Sequence, residues 1–475
     1  MSSVRGLDEV KSQEFINAMI KIRSILYISI ALLLAGCTND DDTHPAVSAQ
    51  DANVITLGVK EVVSPTSRAQ HTGSMDFAQL TATGFGVYGY EGDDAYNSGS
   101  SSFGLFPPNT QVTFVTDGTA PTTSLDIPGS WKYTETSDGL KEWDKDKKYT
   151  FFAYAPYMSV GEGSYGTNPG INAISTGSGD PTISYTVATD PAKSVDLLWG
   201  VRTDTKEKSG LPWIDLQQGQ TNSAVLFTFY HALCALGVHA QVLVDQENRL
   251  SELDDESSLG TIGSADGCKV TLKSITITPK TTSLHQSGVL NLNNYDDGAT
   301  NDGAHQPKWQ SKSGSIASLE LDDGSDTSHG TIAAELLDPH TDDEDDYEVM
   351  TSADYDTEVP GVTESANTQT VIADDKLFML IPQAAQDYDI SVEYFITYKT
   401  ESGYHRELLT GTAKVKDLEL VAGVKYYLNL VFGLTTFKLN VTATDWEGEI
   451  LNKSVVIETG TSASSSLAKQ TSITE

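Results

Sequence analysis

The chain has 475 residues and carries 66 acidic against 30 basic side chains, a formal charge of −36. Binding to a phosphate backbone needs clustered Lys and Arg, so this balance argues against a nucleic-acid partner. Three cysteines are too few for a disulfide framework, so hydrophobic cores must carry the stability, and the length is more than one core comfortably holds. Two domains are the default expectation.

Residues 1–18 contain Asp8, Glu9 and Glu14, which is wrong for the basic leader of a secretion signal, and the expected true start is Met19. From there the order is basic (Lys21, Arg23), apolar (Ile25 to Leu34) and small (Ala35, Gly36), as in a cleaved signal peptide. The apolar run is too short for the roughly 20 residues that span a bilayer. Leu34-Ala35-Gly36-Cys37 also resembles a bacterial lipobox, which implies a lipidated Cys37. Several acyl chains on one residue hold far better than the marginal single chain. Thr38 to Asp42 and the Pro/Ser/Ala stretch after it, residues 37–52 in all, read as a solvated acidic tether. The acidic cluster resembles the export signal of lipoproteins placed on the outer face of the outer membrane.

Beyond residue 50 come short segments rich in Val, Ile, Thr, Tyr and Phe, separated by Gly, Asp, Asn, Ser and Pro, with no sustained 3.6-residue apolar period. The pattern predicts an all-β protein with two sandwiches in tandem. In the first half, strands are expected at Asn53 to Val63, Gly84 to Tyr90, Gln111 to Val115, Tyr149 to Tyr154, Thr182 to Val187 and Leu197 to Val201. In the second they are expected at Ala224 to Tyr230, Leu236 to Val244, Lys269 to Thr278, Lys376 to Ile381, Ile390 to Lys399, Gly423 to Phe432 and Phe437 to Asp445. The polar run Gln217 to Asn222 divides the chain into an N-terminal sandwich, 53–217, and a C-terminal one, 222–448, with a tail at 449–475.

The acidic, Gly/Ser-rich stretches from Asp245 to Gly267 and Asn291 to Val362 read as long surface loops. The second includes Asp342 to Asp346 but lacks the spaced ligands, Gly and closing Glu of a calcium loop, so no metal site is expected. Cys234 lies in an apolar run and reads as a small buried residue, with a bridge to Cys268 left open.

The motif search returns no phosphate loop, no His-Glu-x-x-His, no Gly-x-Ser-x-Gly elbow and no Cys-x-x-Cys pair. An enzyme reading has no anchor, and no catalytic residue or cofactor is expected. His231 and His239 lie eight residues apart on one apolar stretch, about 26 Å along an unbroken strand at ~3.3 Å per residue. They read as core histidines rather than metal ligands. The six tryptophans mostly flank strand candidates, which favours packing over a sugar-stacking platform.

Several segments together resemble the fimbrillin family of Gram-negative pilus subunits and pilus-associated lipoproteins. They are Gly84-Phe-Gly-Val-Tyr-Gly-Tyr90, Trp131-Lys-Tyr133, Trp143, Tyr149-Thr-Phe-Phe-Ala-Tyr-Ala-Pro156, Asp196-Leu-Leu-Trp-Gly200 and Phe227-Thr-Phe-Tyr-His-Ala-Leu233. Leu380-Ile-Pro-Gln383, Ala422-Gly-Val-Lys-Tyr-Tyr-Leu428 and Val441-Thr-Ala-Thr-Asp-Trp446 follow in order. The resemblance runs from the lipobox to about Gly448. It implies two transthyretin-like Greek-key β-sandwiches, export as an outer-membrane lipoprotein, other fimbrial subunits as partners, and polymerisation by strand exchange after proteolysis. Fold alone does not decide function, so a surface lipoprotein that binds glycans or host ligands stays as the alternative.

The first strand carries the alternating residues Val54, Ile55, Leu57 and Val59, and Pro65 ends it, leaving Arg68 in a linker where proteolysis concentrates. By resemblance the processing site maps onto Arg68–Ala69, where a cut releases both anchor and first strand. The other reading leaves Arg68 an ordinary solvated residue on a lipid-bound subunit. A sandwich that loses this strand has an open edge that another chain fills by β-augmentation. The resemblance places the donor at the C-terminus, where Val455, Val456 and Ile457 form a short apolar stretch ahead of a Ser/Thr-rich tail.

Overall fold

In the computed structural model of the chain, the described residues are 53–62, 75–102, 104–116, 118, 129–134, 139–159, 169–175, 178–202, 211–220, 224–242, 269–296, 306–337, 347–350, 362–363, 369–400, 403–432, 437–445 and 456–460. Nearly all of their regular structure is β, as the alternation predicts; the one α-helix among them is Phe77–Thr83. No described helix is long and apolar enough to cross a membrane.

One eight-stranded sheet runs in the order Leu57–Val62, Val225–His231, Leu198–Val201, Lys148–Ala155, Phe85–Gly92, Thr110–Phe114 and Trp131–Tyr133, with Trp213–Leu216 beside Lys148–Ala155. Its central strands are buried on both faces, which is why they read as continuous apolar runs. Alternate residues serve two cores. Phe85, Val87, Phe151, Ala153, Leu198, Phe227 and Phe229 fill one. Tyr88, Tyr90, Phe152, Tyr154, Trp199 and Val201 point into the other. The polar run at 217–222 falls between Trp213–Leu216 and Val225–His231, both strands of this sheet.

The larger core is completed by three further sheets. Cys234–Val242, Val424–Phe432 and Phe437–Asp445 form one, with Gln369–Thr370 and Phe378–Leu380 along its edge. A second is built on Lys269–Pro279 and the hairpin Gln383–Thr400/Gly403–Leu420, whose two strands are each 18 residues long. The third joins Gly170–Ile174 and Thr182–Thr186 to Ser287–Asp296 and Gln306–Ser313, so strands from both halves share one ladder.

The stretch from Asn291 to Val362 is not simply surface loop. It holds Gln306–Ser313, Leu319–Asp322, Gly330–Thr331 and Tyr347–Met350 as strands, with Trp309, Leu319 and Leu321 buried. Trp309, Leu319 and Leu321 are set among polar neighbours, and that polarity dominates the local composition. The other acidic stretch, Asp245 to Gly267, lies outside the described residues.

Candidate functional site

The first strand sits at the edge of the large sheet, parallel to Val225–His231, with Leu57 opposite Val225, Gly58 opposite Leu226 and Val59 opposite Phe227. Val225 N–H donates to Thr56 O at 2.9 Å. Just before the strand the chain pairs on its other side: Ile55 N–H donates to Lys141 O at 2.8 Å and Val54 bridges Glu142. Val54, Ile55 and Leu57 are 8%, 0% and 3% exposed, and Val59 is half-buried against the same core. Each fully buried aliphatic of this kind contributes about 1.5–3 kcal/mol. The strand is therefore an edge strand in its hydrogen bonds and a core element in its side chains.

The wall behind it is aromatic. Phe85 packs against Trp131, Phe227 and Phe229 at centroid separations of 5.3, 5.9 and 5.3 Å. A Cβ on Gly58 would fall 4.0 Å from Trp131 Cδ1, so the sheet curls until its two edges approach each other. Phe77 stacks edge-on to Trp131 and Phe114, both at 6.4 Å, and is 45% exposed at the end of this seam.

Downstream of residue 74 the chain is held independently of the first strand. Met75 N–H donates to Asp196 Oδ2 at 2.9 Å, Leu197 N–H donates to Asp196 Oδ1 at 2.8 Å, and His231 Nδ1 lies 2.7 Å from Oδ2. All of this is buried. Nearby Lys425, also buried, has its ammonium pulled below the usual lysine range by desolvation, with the Asp196 charge opposing. Asp76 then caps the helix: it accepts from Gln79 N–H at 2.8 Å while the Gln79 side chain accepts from Asp76 N–H at 3.2 Å. This Asp-x-x-Gln box was the available sequence signal for a helix whose seven residues show no period.

Of the other expected site residues, Cys37, Arg68, Ala69 and Val455 lie outside the described residues. Val456 and Ile457 do lie in a strand: Val456–Gly460 pairs antiparallel with Thr412–Lys416 on the edge of the long hairpin. His231 and His239 are not brought to one ligand position. His231 faces Asp196, whereas His239 stacks on Tyr427 at 4.4 Å with Asp374 Oδ1 3.5 Å from Nε2. Burial pushes the Tyr427 hydroxyl up to about 12, with the Asp374 charge adding to it. Cys234 is buried with its Sγ–H directed to Leu380 O, and Cys268 is outside the described residues.

Trp131, Trp199, Trp213 and Trp309 are buried, and the last three donate their indole N–H groups to Leu292 O, Leu226 O and Ala232 O respectively. These are packing residues rather than a sugar platform. Trp143 packs edge-on to Tyr149, and Trp446 lies outside the described residues.

No family model matches the chain. Over 221 residues it is 30% identical to "Fimbrium subunit Fim1C" of Phocaeicola vulgatus, a match covering 45% of this chain and 49% of that one. The chain thus spans about half the length of the curated relative it matches. A fimbrial protein structure from Bacteroides vulgatus aligns with 82% of this chain and 99% of its own at 18% identity and a TM-score of 0.48. A fimbrial assembly protein structure from Parabacteroides distasonis aligns with 85% and 98% at 12% identity and a TM-score of 0.28. At TM-scores below one half, neither likeness bears on function. The chain is an all-β protein that over 221 residues is similar to a fimbrium subunit.

Proposed function

We propose that the chain is a structural subunit, or a stalk, tip or anchor component, of a cell-surface fimbria. In this reading it reaches the outer membrane as a lipoprotein anchored through Cys37, is cut after Arg68, and joins neighbouring subunits by exchange of its first strand, in a fibre that serves adhesion. Two successive sandwiches carry the fibre axis, the C-terminal residues serve as donor, and no catalysis is involved.

The observation that supports this most is the seating of the first strand. It closes the seam of a curled sheet with three buried aliphatic residues, yet the only chain joining it to the next described element is the linker 63–74. The chain after that linker is anchored at Asp196 without help from the strand. Removal of the strand leaves an apolar groove and an open strand edge, which is the acceptor that β-augmentation requires.

The test is mass spectrometry of the protein recovered from the native cell surface, comparing wild type with Arg68→Ala. The expected mature N-terminus is Ala69, and Arg68→Ala retains acylated Cys37. A wild-type chain that begins at acylated Cys37 and stays monomeric contradicts the proposal.

A second reading, a monomeric lipoprotein that binds a glycan, draws on a cleft of about 440 Å³ lined by Tyr96, Asp93, Asp94, Asn97, Lys148 and Asp215. Tyr96 N–H donates to Asp215 Oδ1 at 2.7 Å and its hydroxyl donates to Asp180 Oδ1 at 2.8 Å, which fixes one wall. Glycan-array binding lost in Tyr96→Ala, with no polymer formed, would favour this reading.

A further inference from the structure

The cleft of about 440 Å³ beside Tyr96 is built on a different core from the one the first strand fills. Tyr90 and Phe152 are buried in the larger core and Tyr96 packs against it, whereas Ile55, Leu57 and Phe151 belong to the smaller one. Loss of the first strand therefore leaves the walls of the cleft in place.

Those walls are fixed before any ligand arrives. Strand Trp213–Leu216 pairs with Lys148–Ala155 through an irregular register, Leu216 opposite Tyr149 and Trp213 opposite Phe151, and Asp215 between them has φ at 55°. Such a bulge re-aims a side chain, and Asp is one of the few residues that accept this left-handed backbone. Asp215 N–H donates to Thr150 Oγ1 at 3.0 Å, and its Oδ1 accepts from Tyr96 N–H at 2.7 Å. The Tyr96 ring stands edge-on to Tyr90 with centroids 4.8 Å apart, and its hydroxyl donates to Asp180 Oδ1 at 2.8 Å. Asp180 is itself held by the Asn291 and Asn293 side chains at 3.2 and 3.0 Å. Side chains ordered in advance lower the entropic cost of binding.

The lining sets the chemistry of the ligand. Glu91, Asp93, Asp94 and Asp215 face the cleft with one ammonium, Lys148, and the hydroxyls of residues 100–102. Asp93 pairs with Lys147 at 2.7 Å, so the excess negative charge rests on the other three carboxylates. Ionised carboxylates only accept hydrogen bonds, which calls for a ligand rich in donors and free of negative charge. Among the described residues no three acidic, histidine or cysteine groups converge as a metal ion requires, so the acceptors are spread for several donors rather than gathered for one ion. The volume falls within the range of about 300–1,000 Å³ usual for small-ligand sites. A sugar ring meets these demands, with hydroxyls that donate and a C–H face that packs on an aromatic ring.

Resting on the glycan reading of this cleft and not on strand exchange, we infer that it takes the neutral terminal pyranose of a glycan and turns away sialylated and sulfated ends. Asp215 and Asp94 accept from the sugar hydroxyls, and the Tyr96 ring carries the C–H face. A subunit that has exchanged its first strand still carries the cleft.

The test uses the full-length Arg68→Ala chain, which keeps its first strand, on an array that pairs galactose- and mannose-terminated glycans with their sialylated and sulfated forms. Neutral ends are expected to bind, and the anionic forms to bind at least about tenfold more weakly. Asp215→Asn keeps a residue that tolerates the left-handed backbone and should weaken neutral binding about tenfold. Asp94→Asn should weaken it in the same direction, and Tyr96→Ala should abolish it. Asp94 is exposed, so its substitution reports on binding even if Tyr96→Ala fails to fold.

Equal binding of neutral and sialylated ends overturns the ligand class while leaving the glycan reading intact. Neutral binding untouched by both Asp→Asn changes overturns the site. Binding to no glycan overturns the glycan reading and this inference with it, without touching the laddering that strand exchange predicts.

Discussion

The first strand and the C-terminal strand both lie on sheet edges, but the chain uses them differently. Leu57–Val62 runs parallel to its neighbour and closes a seam, with Ile55 and Leu57 among the buried residues of the core. Val456–Gly460 is laid antiparallel along Thr412–Lys416, an addition to the edge of a hairpin whose strands already pair with each other. The first strand fills a core; the second extends a ladder along the hairpin's edge. Burial scales with apolar area, whereas the net worth of each ladder bond is only about 0.5–1.5 kcal/mol. The two segments should therefore respond very differently to damage.

The largest effect is expected at the filler. Ile55→Ala in the uncut chain should lower stability by about 4 kcal/mol, read as a drop in the urea midpoint. Asp196→Ala should cost about 3 kcal/mol, because it removes the acceptor of two buried backbone N–H groups and the partner of His231. If Ile55→Ala costs no more than a surface substitution, the seam is not a core and the contrast fails.

Truncation before Val456 should cost only about 1–2 kcal/mol, the worth of a short edge ladder, measured by the same denaturation. A loss as large as that of Ile55→Ala would make the tail a core element too.

The smallest effect is a pH dependence far from the seam. His329 Nδ1 lies 2.5 Å from Asp322 Oδ2, and Nε2 lies 3.1 Å from Glu320 Oε2. The hydrogen bond to Asp322, followed by the charges of Glu320, Asp322 and Asp326, raises the imidazole above its ordinary value. A raised folded-state value means that the contribution is fully present below the unfolded histidine value and is lost as pH rises through the folded one. The melting temperature should fall slightly across that window, and His329→Gln should remove the slope.

Much of the fold is legible from alternation and turn residues. Gly84 to Tyr90, Tyr149 to Tyr154, Leu197 to Val201 and Phe437 to Asp445 all fall on strands because their side chains are uniformly apolar or strictly alternating. The strands from Ser287 to Thr331 are hidden because only residues such as Leu290, Leu292, Leu319 and Leu321 face inward among Ser, Asn and Asp. Local pattern marks the long hairpin only at Ile390 to Lys399; its return strand Gly403–Leu420 mixes Lys, Glu and Thr among its apolar residues.

The alternation that marks the first strand is visible, but its parallel partner is not, since local pattern says nothing about a neighbour some 170 residues away (Leu57 to Val225). The Asp196–His231 contact, 35 residues apart in sequence, is equally invisible, because a lone acid and a lone histidine carry no spacing signal.

The central claim is that the first strand is exchangeable. The most direct measurement is electrophoresis in mild detergent of the purified full chain after cleavage at Arg68, beside uncleaved chain and Arg68→Ala. The account predicts a ladder of detergent-resistant multimers, lacking residues 1–68, from the cleaved wild type alone. A single monomeric band that keeps the first strand bound after the cut would contradict it.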